Sequence, residues 1–572
     1  MPGFLAAVGD AVDSEWLPLR YWSLRPLVTG QLAGTGYAVH RFVNPKFLED
    51  KVFGEDADLV LAMDGAILNL QDLRRTFGCE SPFMVLKRLY EREGDRLPIA
   101  LRGAFSGFLY DKARRKALVF TDQTGWKPVY YHAGNGLFLF ASELKVLSPL
   151  LRRLNRPPTL DILGAYFLLT YGFMLEDYTL LKEVRKLQAG HLLVVSDGRL
   201  EVRRYHRLEN KPPVSDSLNG IIDTLDHLFR EAVRREFEKD VSYGYRHIAT
   251  LSGGMDSRIT NVVARDLGYG GLLNVTFAQS GCWDEKIARQ VAADLGNESL
   301  FYALDDGTFA VGALDAAVKA NDGMVIWIGS AHEFSMVRKL SFDDYGMLHT
   351  GQLGDAVFGT YLPGPEVQKP SVETGAMSKR LLDRVRPDVA HILGRYESDD
   401  LFRLYSHEFN GNVNSNWMTY QFTEIGSPFS DLDLLEYALR IPRALRYGLL
   451  LYQQWVLAKY PRAASYFWHR IRARVADGRL KRFCKAARWF AARELSRFSR
   501  RPGCWEMNPF YYWYKTSREF QGLFRGYFDR NAWVLDGEPG LKRDCKAMFE
   551  EGHVVEKCQV MTLLEGIKLH LH

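Results

Sequence analysis

One short passage constrains this chain more than any other. TLSGGMDSR, residues 250–258, lies between the apolar strand-like run RHIATL and a helix expected to begin near Ser257. Two adjacent glycines let the backbone turn sharply, so amide groups and the hydroxyls of Ser252 and Ser257 can converge on one anion at the helix N-terminus. The loop reads as a pyrophosphate cradle. It carries no Gly-Lys-Ser/Thr sequence, so it differs from the loop that grips a transferring γ-phosphate with a lysine. Asp256 adds a carboxylate beside the phosphates, the usual way a protein holds Mg²⁺ whose other ligands are nucleotide and water.

Two further segments carry acids near such a site. HTGQLGDAVFGTY (residues 349–361) follows the apolar run YGMLHT and sets Asp355 among glycines. A lone loop aspartate often caps a helix; opposite Asp256 it can also be a second Mg²⁺ ligand. TEIGSPFSDLDLLEYALRIP (residues 423–442) places Glu424 and Asp431 in a loop before an amphipathic helix, and by itself is a capped helix.

The rest of the chain sets the context. Residues 1–207 read as hairpins: FSGFLYD and KALVFTD flank a polar turn, PVYYH and LFLFAS flank AGNG, and HLLVVS and LEVRRY meet at Asp197-Gly198, which tolerates the positive φ of a tight turn. LENKPPVSD (residues 208–216) suits an exposed linker. From 217 onward strands alternate with helices, among them 221–238 and DEKIARQVAADLG closing on Gly296, which predicts a parallel sheet that binds nucleotide at its carboxyl edge. Beyond about residue 370 the text is mostly helical and rich in Trp and Tyr.

Composition excludes several alternatives. At 572 residues the chain is too long for a single binding module, and 74 basic against 69 acidic side chains, a net charge of +5, does not mark a nucleic-acid binder. The apolar run 162–175 is too short to span a bilayer, and the first residues lack a secretory leader pattern, so the cytoplasm is the expected compartment. Six cysteines without a CxxC pair predict reduced, mostly buried thiols. Residues 470–501 hold twelve basic and two acidic side chains interleaved with Phe483, Trp489, Phe490 and Phe498. Such a stretch is a solvated face or a surface for an acidic partner or an anionic membrane.

In this order the segments resemble the asparagine synthetase B superfamily. MDGAILNLQDLR, LRGAFSGFLYD, TDQTGWKPVYYH and LFLFASELKVL resemble the family's glutaminase motifs, and LSGGMDSR, TGQLGDAVFGTY and TEIGSPFSDLDLLEYALRIP its synthetase motifs. The resemblance implies an α+β N-terminal Ntn-type β-sandwich domain with a degenerate glutaminase site (1–207). It implies after it an α/β ATP-pyrophosphatase domain of the adenine nucleotide alpha hydrolase type with a helical C-terminal region (217–572). It implies ATP and Mg²⁺ as cofactors, and pyrophosphate binding by Ser252, Gly253, Gly254 and Ser257. Leu251, Thr276, Thr350 and Gly351 would line the adenosine site, Asp256 and Asp355 would hold the metal, and Gln352 and Glu424 would join these acids in catalysis.

The departures from the family pattern matter as much. Met1-Pro2-Gly3 offers no cysteine after the initiator, and Asp64-Gly65-Ala66 stands where Asn-Gly-Glu is usual, which implies a domain without glutaminase activity. Gln352 replaces a glutamate, Ala356 an acid and Gly426 an arginine; Leu449 stands near the place of a lysine that Arg446 or Lys459 would have to supply. The reading that follows is an AMP- and pyrophosphate-forming ligase that joins a small-molecule or peptide carboxylate to ammonia or a substrate amine, possible as a homodimer. The alternatives are a catalytically inactive nucleotide-binding or scaffold paralogue and an ammonia-dependent asparagine synthetase.

Overall fold

The computed structural model describes residues 2–10, 12, 21–478 and 506–572, together with 480–481, 484–485, 487–488 and 490–491. The N-terminal domain contains two six-stranded sheets. The first runs in the order Arg185–Lys186, Tyr130–Gly134, Leu137–Ala141, Gly3–Val8, Tyr37–Val43, Val28–Gly34. The other runs Arg199–Arg204, His191–Ser196, Lys116–Thr121, Gly103–Asp111, Leu59–Ile67, Phe53–Glu55. Every pairing in both is antiparallel.

The two-residue alternation of the strands decides the layering. Phe4, Ala6 and Val8 of one sheet meet Val60, Ala62, Phe108 and Val119 of the other in a shared core. The opposite side chains face helices: Leu59, Leu61 and Met63 pack on Leu70–Phe77 and Pro82–Glu93, while Leu5, Ala7 and Leu139 pack beneath Leu144–Arg153 and Ile162–Tyr171. The result is helix, sheet, sheet, helix, the Ntn-type sandwich expected from the motifs. Asp197-Gly198 turns with φ of 50° and 67°. The AGNG turn is tighter than its sequence suggests: the strand extends through Gly134, leaving Asn135-Gly136 as the two turning residues.

The second domain is built on a five-stranded parallel sheet in the order Glu298–Ala303, Leu273–Ala278, Arg246–Thr250, Tyr345–His349, Ile425–Gly426. The chain winds outward from Arg246–Thr250 in one direction, then returns to its other side with Tyr345–His349. Those two adjacent strands flank the switch point, where loops diverge and leave a crevice. Helices Leu218–Ser242, Met255–Asp266 and Trp283–Leu295 pack around the sheet, the last ended by Gly296 at φ 70°.

The expected linker is largely exposed and irregular from 209 to 216, yet it does not separate two independent cores. Leu208 is fully buried, and one apolar cluster runs from Leu5 and Ala141 through Ile248 and Trp455 to Ile567. The C-terminal helix Val554–Leu571 packs against Leu144–Arg153 and Ile162–Tyr171 of the N-terminal domain. It is buried nearly all round, as a helix between two layers must be. Among the described residues no helix is long and apolar enough to cross a membrane. Cys282, Cys545 and Cys558 are buried free thiols, but Cys484 is exposed and Cys79 half-buried, and Cys504 lies outside the described residues. Of the basic stretch 470–501, residues 479, 482–483, 486, 489 and 492–501 likewise lie outside them, including Phe483, Trp489 and Phe498.

Candidate active site

The helix after the SGG turn starts two residues earlier than expected, at Met255, with Gly254 in the N-cap position. This puts Asp256 and Ser257 in its first turn, beside the free amides. Ser257 Oγ accepts from the Ser252 amide and lies 3.1 Å from Ser252 Oγ, and Ser252 Oγ accepts from the Gly254 amide at 3.1 Å. The hydroxyls therefore shape the turn. Gly253 does not face the cleft: its amide donates to Asp284 Oδ1 at 3.0 Å and the residue is buried. The expected role of Gly253 in holding nucleotide is corrected to positioning of the loop.

The loop after Tyr345–His349 closes on this turn. A Cβ at Gly351 would stand 2.5 Å from the Ser257 amide nitrogen, and one at Gly354 would stand 2.4 Å from Asp256 Cγ. Only glycine allows this approach, and it brings Asp355 to Asp256. Together these segments border an open cleft of about 210 Å³ lined by Leu251, Ser252, Gly254, Asp256, Ser257, Thr276, Thr350, Gly351, Gln352 and Asp355. Of the remaining residues read from sequence, Gly253 and Glu424 do not line it.

Glu424 lies instead at the junction of the two domains, fully buried. Lys51 Nζ is 2.6 Å and Lys127 Nζ 2.8 Å from its carboxylate, and Lys127 also reaches Asp64 at 3.0 Å while lying 3.6 Å over the Tyr420 ring. Burial would raise the Glu424 pKa, but the two ammonium groups hold it down near 2. A side chain so engaged is an ionic clamp between the domains, which corrects the catalytic role expected for it.

Groups that spacing did not reveal hold the two aspartates from behind the cleft wall or stand at its edge. Tyr452 donates to Asp256 Oδ1 at 2.7 Å, Tyr361 donates to Asp355 Oδ2 at 3.1 Å, and Arg470 stands 3.6 Å from Asp355 Oδ1. Arg446 and Lys459 are elsewhere, paired with Asp400 and Asp223. Among the described residues Arg470 is thus the cation that pairs with Asp355. Glu408 and Asn412 enter the cleft from Leu404–Asn412, a π-helical segment of the kind often found at functional sites, with Asn412 donating to Glu408 at 2.8 Å. Glu333 also lines the cleft; burial pushes its carboxyl up to about 7 although Thr419 donates to it at 2.6 Å. A helix bulge, or a tyrosine 196 positions from the aspartate it meets, has no signature in a single sequence.

Burial and the neighbouring Asp355 raise the Asp256 pKa to about 8, against the hydrogen bond from Tyr452. Two crowded carboxylates offering only oxygen suit a hard divalent cation such as Mg²⁺. Gly426, where an arginine is usual, has no room for one: a Cβ would stand 2.6 Å from Met347 Sδ and 3.0 Å from Glu236.

Behind the loop, His349 is fully buried between Glu236 at 2.6 Å and Asp240 at 2.8 Å, and Asp240 also accepts from His247 at 2.9 Å. Burial would lower the His349 pKa, but these carboxylates raise it to about 9 from the ordinary 6.5. A folded-state pKa above the unfolded one contributes stability that is full below the unfolded value and lost as pH rises through the folded value. Urea midpoints are therefore expected to be flat at mildly acidic pH and to fall from about pH 6.5 toward pH 9, and His349→Asn should flatten that decline. An unchanged decline in the variant would assign it to other groups.

The doubly layered antiparallel sandwich and the switch-point cleft define a two-domain architecture, an Ntn glutamine amidotransferase-type domain followed by an α/β synthetase domain of the ATP-pyrophosphatase kind. A family model described as a glutamine amidotransferase domain matches residues 50–206, and one described as asparagine synthase matches residues 224–424. Over 395 residues the chain is 27% identical to asparagine synthetase (glutamine-hydrolyzing) 2 of Lotus japonicus, covering 63% of this chain and 60% of that protein. Over 256 residues it is 27% identical to asparagine synthetase (glutamine-hydrolyzing) 1 of Bacillus subtilis, covering 43% and 39%. The chain thus spans less than two thirds of the length of these relatives. A solved glutamine phosphoribosylpyrophosphate amidotransferase from B. subtilis matches with a TM-score of 0.25 and 11% identity over 55% of this chain and 87% of that one, a likeness too low to carry an argument. The two family-model matches, in this order, support the resemblance to the asparagine synthetase B superfamily carried by the motifs.

Proposed function

We propose that the chain is a carbon–nitrogen ligase that activates a carboxylate with ATP in the switch-point cleft and passes the acyl group to ammonia or a substrate amine. The observation that carries this reading is the convergence of Asp256 and Asp355, from two loops at the sheet's carboxyl edge, with Ser252 and Ser257 in one cleft. In the first step a carboxylate oxygen attacks the α-phosphorus, the bond to the β-phosphate oxygen breaks, and pyrophosphate leaves. In the second step the amine nitrogen attacks the acyl carbon, AMP leaves and the nitrogen loses a proton. Magnesium, when bound by Asp256 and Asp355, would neutralise charge on the departing pyrophosphate. The chain's own contribution is electrostatic: amides at the Met255–Asp266 helix N-terminus and Arg470 face the place where negative charge grows. Leu251, Thr276, Thr350 and Gly351 would flank the adenosine.

The same reading takes residues 1–207 as a domain without glutaminase activity and 217–572 as the synthetase unit. Asp64, where the family grips glutamine, is buried and held by Lys127, which supports that assignment. One observation favours an inactive nucleotide-binding paralogue instead: Gln352 puts a neutral amide where the family has a carboxylate. Purified protein with Mg·ATP, ammonium and a panel of carboxylic acids separates the two. Release of AMP and pyrophosphate with one class of acid is the expected result, and nucleotide binding without AMP from any of them would favour the inactive paralogue.

A further inference from the structure

The cleft wall contributed by Leu404–Asn412 is held from behind by the N-terminal domain. Long π-helical runs are rare, so nine residues in that form need support from their neighbours. The two faces of the segment meet different surroundings. Glu408 and Asn412 line the cleft, where Asn412 and His407 fix the Glu408 carboxylate at 2.8 and 3.2 Å. The Glu408 charge acts on the aspartates: after burial and Asp355, it is a further cause of the raised Asp256 pKa. Asn410, Gly411 and Asn414 meet the other domain. Lys186 Nζ donates to Asn410 Oδ1 at 2.7 Å and to Asn414 Oδ1 at 3.2 Å, and Asn410 Nδ2 donates to the Glu176 carbonyl at 3.1 Å. A Cβ on Gly411 would stand 3.0 Å from Phe173 Cδ1, and the Phe173 ring meets that of His407 edge-on at 5.8 Å.

Lys186 is a costly group to bury. Among the described residues no carboxylate lies within ion-pair distance of it; its partners are the two amide oxygens and the Trp417 ring at 5.0 Å, and burial pushes its ammonium down to about 7. An apolar side chain of similar length would fill the space without that cost. What the lysine adds is a fixed position for two asparagines.

We propose that Lys186 is a positioning residue for the cleft: through Asn410 and Asn414 it sets the register of the π-helical segment, and so the place of Glu408 and Asn412 beside the two aspartates. The domain read as lacking glutaminase activity thereby takes part in forming the nucleotide site of the other. The inference rests on the Mg·ATP part of the reading above.

Calorimetric titration of the full chain with an ATP analogue that cannot be cleaved between the α and β phosphates, repeated over a range of Mg²⁺ concentrations, reads the effect without turnover. In Lys186→Met the Mg²⁺ concentration that half-saturates nucleotide binding is expected to rise by about tenfold, the usual cost of losing an outer-shell partner of a metal site. Glu408→Gln should raise it as well, and Lys186→Met should add nothing further in that background, because it acts through Glu408. A lysine that only stabilised the fold would shift both backgrounds equally. Hydrogen exchange reports on the segment itself: peptides spanning 404–415 should exchange about tenfold faster in Lys186→Met, the effect of losing one buried hydrogen-bond partner, while the Met255–Asp266 helix keeps its rate. Unchanged exchange in that segment, faster exchange throughout the chain, an unchanged Mg²⁺ requirement, or equal shifts in the two backgrounds would overturn the proposal. Faster exchange confined to that segment, in a chain whose parent binds no nucleotide, would keep the positioning role and refute the nucleotide reading.

Discussion

Asp256→Asn is expected to lower pyrophosphate release by about 10²–10³-fold while leaving the fold intact. The substitution removes a negative charge from the site that would hold the metal, so the loss should appear in turnover and in the Mg²⁺ dependence of ATP binding. It should not appear as instability. Asp256 is half-buried, lines the cleft together with Asp355 and is held by a hydrogen bond from Tyr452 that an asparagine oxygen can accept equally well. Relief of like-charge crowding should therefore leave the thermal midpoint equal to that of the parent or above it. A variant that loses activity only because its midpoint has fallen would contradict this account, and so would one that retains full pyrophosphate release.

Lys127→Met should destabilise the chain by about 3–5 kcal/mol, the cost of leaving a buried partner unpaired. Lys51, Lys127, Asp64 and Glu424 form a balanced set of two cations and two anions, with side chains no more than 2% exposed. Removing Lys127 leaves two carboxylates with one ammonium in a medium that cannot solvate the excess charge. Adding Asp64→Asn restores the balance as the Lys51–Glu424 pair, so the double variant should recover much of the loss. Urea unfolding of the parent, both single variants and the double variant measures the coupling directly. Simple additivity would show that the four groups do not act as a unit. Because Lys51, Asp64 and Lys127 come from the N-terminal domain and Glu424 from the second, the same losses should register as weakened adhesion between domains.

The cleft was legible where function depends on backbone shape and local order. The strand, the SGG turn and the helix behind it are contiguous, and the two glycines at 351 and 354 are needed because that loop comes within van der Waals distance of Asp256 and Ser257. Asp256, Gln352 and Asp355, which the motifs single out, therefore line one cleft. At Glu424 that legibility ends. Its motif fits the synthetase pattern, but its surroundings come from residues more than 290 positions earlier, and those ammonium groups turn a candidate catalytic acid into a clamp. Tyr452, Arg470 and Glu408 were invisible for the same reason. Each reaches the site from a helix or turn whose own sequence reads as ordinary packing.

Sequence alone determined the order of elements, the hairpins with their positive-φ turns, the alternation that layers two sheets between helices, and the SGG turn between strand and helix. These depend on interactions between near neighbours and on the period of apolar residues, which a linear text preserves. Tertiary structure decided that the two domains share one core across an exposed linker, that Lys127 occupies the place beside Asp64, and that Arg470 rather than Arg446 or Lys459 faces the aspartates. Those outcomes depend on which distant side chains meet once water is excluded, and a buried charge takes its role from the partner it finds there.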